Sequence, residues 1–171
     1  YGKYVAKHKW NIVSPMHQMG LPLMQAAKHD LSKLGPKEFG PYRNWFEGSK
    51  GIKGSRDQAA YGQWREAVDH HYHAPGNLHH LRALKLNPAQ VPLKYKMEAV
   101  ADWYSVGKTK GVVGTSFPKW YRTQRATLPI DRDTREMIDM QLSKNAERLD
   151  DYPDLRTLNF TDESRMSNKA R

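Results

Sequence analysis

Imidazoles and carboxylates recur along this chain in a pattern suited to holding a cation: His8, His29-Asp30, His70-His71, His79-His80, then Glu98 and Asp102. Most of the eight histidines stand in or beside segments of helical apolar spacing, where their neighbours would carry them into a core. Zinc, iron, manganese and nickel accept such ligands, and buried carboxylates need a cation to neutralise them. With no cysteine, thiolate zinc sites, iron–sulfur clusters, disulfides and cysteine nucleophiles are excluded, so any metal must sit among nitrogen and oxygen ligands.

The elements that must position these groups read as helices. Val5, Ile12, Val13, Met16 and Met19 predict a helix over Tyr4 to Met19 with His8 facing inward. A second, from Leu21 to Leu34, carries His29 and Asp30 late in its course, where neighbours diverge by about 100° around the axis. Gly35-Pro36 stops it and starts a third, Lys37 to Phe46, with Phe39, Tyr42, Trp45 and Phe46 as an aromatic face. Gly48 to Ser55 is a basic loop, and Ala59 to His71 a helix whose inward histidine is His71 rather than His70. His79-His80 open a short helix closed by Asn87-Pro88. Over Val91 to Val106, Glu98 and Asp102 lie one turn apart and reach one site. Gly107 to Ser116 reads as a loop whose GKT triplet fails as a phosphate loop, because Asp102 stands where the motif needs glycine. Trp120 to Arg125 and Asp133 to Leu149 complete the helices, with Asp133 or Thr134 capping the last. No strand alternation or repeat is visible, so the expected fold is all-α: a compact bundle of about six to eight helices over residues 1–150, with a polar basic tail over 151–171.

The 28 Lys and Arg against 18 Asp and Glu, a formal charge of +10, favour phosphorylated small molecules or nucleic acid. No apolar run approaches the roughly 20 residues of a membrane span and no signal-peptide order is seen, so no membrane partner and a cytoplasmic location, bacterial or in a phage-infected host, are expected.

The order His, His-Asp, further His, then Asp on a later helix resembles the HD-domain superfamily of metal-dependent phosphohydrolases, over roughly Tyr4 to Val106. Within it the chain is similar to a small uncharacterised phage and bacterial family through Lys7 to Val13, the HDLSK run His29 to Lys33, Glu38-Phe39, Tyr42, His70-His71, Asn77 to His80 and Glu98 to Trp103. The resemblance implies His29, Asp30 and Asp102 as central metal ligands, His8 as the upstream one, and His71 with His79 or His80 at a second metal. The cofactor expected is one or two divalent ions, whether Fe, Mn, Zn, Ni or Mg.

The chemistry that follows is hydrolysis of a small phosphorylated substrate, a nucleotide as the leading expectation, by metal-activated water. Asp102 or Glu98 would align the water, Lys33 serves catalysis and phosphate binding, and Lys9, Arg43 and Asn77 complete the substrate contacts. His17, His70 and His73 are expected at solvent or behind the ligands, and the five tryptophans in the core. Two rivals stand beside this: an HD-type di-iron oxygenase, and a basic nucleic-acid-binding or phage structural protein with a structural metal.

Overall fold

The computed structural model describes residues 1–48, 58–82 and 84–151, with side chains to residue 147. They form seven helices and no strand: α1 (Gly2–Gln18), α2 (Leu23–Lys28), α3 (Pro36–Glu47), α4 (Gln58–His73), α5 (Leu93–Thr109), α6 (Phe117–Gln124) and α7 (Arg132–Asp151). The small all-α fold expected from the apolar spacing is what the chain adopts. Most of the basic 48–55 loop and all but the first residue of the 151–171 tail lie outside the described residues.

α5 is the central element. Met97 to Asp102 are buried at six consecutive positions, so this helix is surrounded rather than resting on one face. It packs against α1, whose Val5, His8, Ile12 and Met16 recur at three- and four-residue spacing on one buried face. The core formed by Ile12, Met16, Val100, Ala101 and Tyr104 is completed by Phe117 and Tyr121 of α6 and Ile138 of α7. Asn11 Nδ2 donates to Thr109 Oγ1 at 2.9 Å and fixes the register of α1 on α5. A second pair, α3 with α4, turns Glu38 and Tyr42 toward His71 and stacks Trp45 on Trp64 at 5.0 Å. The two helix pairs thus bring ligand-type side chains from opposite sides onto the segment between α2 and α3.

α1 ends in a Schellman turn. Leu21 N–H donates to Met16 O and Gly20 N–H to His17 O, with Gly20 at φ +76° and Met16 and Leu21 both buried.

Several expected elements take other forms. His29 and Asp30 do not lie within a helix: α2 stops at Lys28, His29 is extended at ψ 128°, and Asp30 is left-handed at φ +53° before a 3-10 turn, Leu31–Leu34. Asp is among the few residues that accept that conformation. The stretch after His79 is a chain of turns, not a helix, with a 3-10 turn at Pro88–Gln90. α5 continues through Thr109, placing the GKT triplet inside a helix. α7 is capped by Asp131, whose Oδ1 accepts from Thr134 N–H at 2.9 Å, rather than by Asp133 or Thr134. Of the five tryptophans expected in the core none is fully buried: Trp45, Trp64, Trp103 and Trp120 are partly buried and Trp10 is 78% exposed.

Candidate metal centre

Asp30 is fully buried, and its two carboxylate oxygens face two different groups of imidazoles. Oδ2 lies 3.3 Å from His8 Nε2 and 3.5 Å from His29 Nε2. Asp102 Oδ1 joins this set from α5, 3.2 Å from His8 Nε2 and 3.6 Å from His29 Nε2, and the two imidazole nitrogens stand 3.2 Å apart. Four ligands about 2.0–2.1 Å from a tetrahedral metal would stand roughly 3.3–3.4 Å from one another. The edges of this set bracket that value, so the four atoms suit one small cation.

Asp30 Oδ1 faces the second group: His71 Nε2 at 3.1 Å, His79 Nε2 at 3.6 Å and His80 Nε2 at 3.8 Å. His71 and His80 meet through their Nε2 atoms at 2.8 Å. Neither ring nitrogen of His79, nor Asp30 Oδ1, has a hydrogen-bond partner although all three are buried. An unsatisfied buried polar atom costs about 1–3 kcal/mol, and two of these, His79 Nε2 and Asp30 Oδ1, face each other at 3.6 Å, as they would around a missing acceptor of lone pairs. Both His79 and His80 therefore point at the second position, where the sequence left a choice between them.

Behind the facing nitrogens stands a set of orienting groups. Ser105 Oγ donates to Asp102 O at 3.0 Å, which leaves it to accept from His8 Nδ1 at 3.1 Å. Glu98 Oε1 accepts from His29 Nδ1 at 2.8 Å and lies 3.4 Å from His79 Nδ1, while its Oε2 accepts from Gln25 Nε2 at 2.6 Å. His71 Nδ1 has Ser32 Oγ at 2.9 Å and Glu38 Oε2 at 3.0 Å, and Glu38 Oε1 accepts from His70 Nδ1 at 2.7 Å. Holding Nδ1 in this way fixes the ring and turns Nε2 toward the centre.

The electrostatics follow from four buried carboxylates against one lysine. Burial works against the His29 cation, but Asp30, Asp102 and Glu98 outweigh it and raise that imidazole to about 9. His8 rises for the same reason, through Asp102 and Asp30. Burial likewise opposes ionisation of Asp30 and Asp102, yet His29 with Lys33 on the first, and His29 with His8 on the second, hold both carboxyls well below the usual range. His80, in contrast, is pushed down to about 2 by burial and by His79 and His71, and so is a neutral imidazole. The first half of the centre thus holds two ionised carboxylates beside the His29 cation, whose proton a metal ion would displace.

Solvent reaches the centre at three of its side chains. Asp102, His80 and Lys33 have side chains 11%, 13% and 20% exposed, against 2% or less for His8, His29, Asp30, His71 and His79. Lys33 Nζ pairs with Asp30 Oδ2, spanning from the buried carboxylate to this opening. Tyr4 lies beside it, its ring parallel to His8 at 6.4 Å.

Other residues singled out from the sequence have different surroundings. Lys9, expected at a substrate phosphate, donates to Ala27 O at 2.9 Å and His29 O at 2.7 Å and so ties down the carbonyls at the end of α2. Asn77, expected to bind substrate, donates to His71 O at 2.6 Å and holds the end of α4. Arg43 is exposed on α3 and makes no ion pair with the cluster. Glu98, expected to align water, sits behind His29 and His79, away from the opening. His17 and His73 are exposed. Gln25 and Ser105 carry no signal in the motifs, while Ser32 and Glu38 stand in the runs that carry the resemblance without a role implied for either. Ser105 was open to detection, since Glu98, Asp102 and Ser105 share one face of α5 at i, i+4 and i+7.

The chain belongs to DUF5662, a family of unknown function, which it matches over residues 1–144. No curated protein and no solved structure matches it.

Proposed function

We propose that this member of a family of unknown function is a metal-dependent phosphohydrolase of HD type, with two divalent cations bridged by Asp30 and a nucleotide or other small phosphomonoester as substrate. The observation that carries the proposal is the division of labour at Asp30, with Oδ2 facing His8 and His29 and Oδ1 facing His71, His79 and His80. Asp102 completes the first set.

Bound there, divalent cations would polarise a phosphoryl group and lower the pKa of water toward neutrality. The residues at the opening supply the rest. Lys33, whose ammonium Asp30 holds in its charged form, sits where an anionic phosphoryl oxygen must enter and offsets its charge. Asp102 is held ionised by His29 and His8 and its side chain is 11% exposed, so its second carboxylate oxygen can accept a hydrogen bond from the attacking water and orient it. The formal charge of +10 draws such anions toward the protein.

The experiment is metal analysis of protein purified without a metal-affinity column, with phosphate release from p-nitrophenyl phosphate and nucleoside monophosphates and oxygen uptake measured side by side. Two equivalents of metal, reduced in Asp30→Asn, with metal-dependent phosphate release, are expected. No metal bound or taken up would overturn the reading, and oxygen uptake without phosphate release would move the chain to the oxygenases.

A further inference from the structure

A cleft of about 460 Å³ lies on the far side of His29 and Glu98 from the metal centre. Its lining includes Gln25, Lys28, Lys94, Tyr95, Glu98 and His29, and none of His8, Asp30, Asp102, Lys33 or His80. Because His29 turns Nε2 to the centre and Nδ1 to Glu98, a molecule in this cleft is separated from the bridging carboxylate by the imidazole. The cleft is therefore a different place from the opening at Lys33 and Asp102, and its size falls within the roughly 300–1,000 Å³ of small-molecule sites.

Its chemistry is graded from floor to rim. At the floor, Gln25 Nε2 donates to Glu98 Oε2 at 2.6 Å and to Lys94 O at 3.3 Å. Those two bonds settle which end of the amide is nitrogen, so Gln25 Oε1 is a carbonyl acceptor, and it has no partner among the described residues. Glu98 Oε2 keeps a second lone pair of its own. The floor thus presents two acceptors and calls for a ligand with N–H donors at its inner end. The rim is of opposite character: Lys28 and Lys94 are exposed cations, with the Lys94 ammonium 4.9 Å over the Tyr95 ring. A free polyamine would suit the floor and be repelled by the rim, and inorganic phosphate the reverse.

We propose that this cleft binds a nucleotide whose base carries an exocyclic amine, with AMP as the probe, the amine against Gln25 Oε1 and Glu98 Oε2 and the phosphate at the rim that carries Lys28 and Lys94. Through Glu98 the ligand touches the carboxylate that orients His29 and His79, so its occupancy would bear on the centre from behind. Binding itself does not depend on the metal reading.

The test is calorimetric titration at low ionic strength of chelator-treated protein with AMP, IMP and adenosine, repeated on Lys28→Ala/Lys94→Ala and on Asp30→Asn, with circular dichroism confirming each fold. One equivalent of AMP should bind. IMP, whose 6-oxo group meets the floor acceptor to acceptor, and adenosine, without phosphate, should each bind at least about tenfold more weakly, a difference of roughly 1.4 kcal/mol. The double lysine variant should lose AMP affinity by a similar factor, and Asp30→Asn should keep it. Equal affinity for AMP and IMP, full affinity in the lysine variant, or no binding at millimolar nucleotide would overturn the proposal. Loss in Asp30→Asn alone would overturn it too, moving the nucleotide to the metal centre. Failure of the phosphohydrolase reading leaves AMP binding to the chelator-treated protein untouched.

Discussion

Glu98 is the one carboxylate that stands behind both halves of the centre, so Glu98→Gln should weaken both metal-binding steps at once. Its Oε1 reaches His29 Nδ1 at 2.8 Å, on the first half, and His79 Nδ1 at 3.4 Å, on the second. Gln preserves the volume, and a turn of the Gln25 amide restores the bond now made at 2.6 Å at the expense of the longer 3.3 Å bond to Lys94 O, so the substitution chiefly removes charge. Losing an outer-shell partner of a metal-bound histidine typically weakens binding about 10–100-fold, or roughly 1.4–2.7 kcal/mol per step. Two controls isolate the effect. Ser105 touches only His8, and Glu38 only His70 and His71 among the histidines, so Ser105→Ala should weaken the first step alone and Glu38→Gln the second alone. The assay is competition of Mn²⁺ or Zn²⁺ against a chromophoric chelator, resolved into two steps. A Glu98→Gln protein that is folded yet weakened in one step only would refute the shared role, as would a single step in the wild type.

Three further outcomes follow from the same contacts. His29 is raised from an unfolded value of 6.5 to about 9, so its charge stabilises the fold fully below pH 6.5 and that contribution is lost as pH rises toward 9. Chelator-treated protein should lose stability on the order of 3 kcal/mol across that window in urea titrations, while metal-loaded protein should gain relative to it, because metal replaces the proton. Asp131 accepts at 2.5 Å from the buried Lys96 ammonium as well as capping α7, so Asp131→Ala should cost about 2–4 kcal/mol, read as a lowered urea midpoint with unchanged slope. Since Lys96 and the cap hold the Asp131 carboxyl below its usual range, this contribution is present above pH 4 and fades as pH falls below it. Gly20→Ala forces a Cβ into φ +76° in the Schellman turn and should lower stability by about 1 kcal/mol, whereas Gly40→Ala, a helical position with open space, should not.

What the sequence made legible was the set of groups with period and identity in common. Helical spacing on α1 and α5 places His8 and Asp102 inward, and these two helices indeed pack together around them. Spacing along a helix says nothing, however, about what a polar residue meets on another element. Lys9 and Asn77 carry donors that suit a phosphate, but orphan carbonyls at the ends of α2 and α4 lie closer and take them. Glu38 reads as a first-turn acid favoured by the helix dipole, and becomes a partner of two histidines only because α4 crosses α3 at that turn. Trp10 has the composition of a core residue, yet falls on the face of α1 opposite Ile12 and Met16 and meets solvent.

The largest departure from the helical expectation is also what turns the two oxygens of Asp30 toward different imidazoles. Within a continuous helix, His29 and Asp30 would diverge by about 100° and point along two separate radii. A carboxylate so placed could join His29 on one cation, or leave it for another. At the break after Lys28 the chain instead turns through an extended His29 and a left-handed Asp30, so the carboxylate sits end-on between the α1–α5 pair and the α3–α4 pair. One oxygen is then delivered to each. A left-handed residue costs roughly 1–2 kcal/mol unless it is Gly, Asn or Asp, and only Asp among these carries a carboxylate with one oxygen for each side. Lys9 repeats the logic from the other side: by taking the Ala27 and His29 carbonyls, it satisfies the backbone groups that ending α2 early would leave bare. The break is thus supported at its φ, at its carbonyls and at its side chain by residues that a continuous helix would not require.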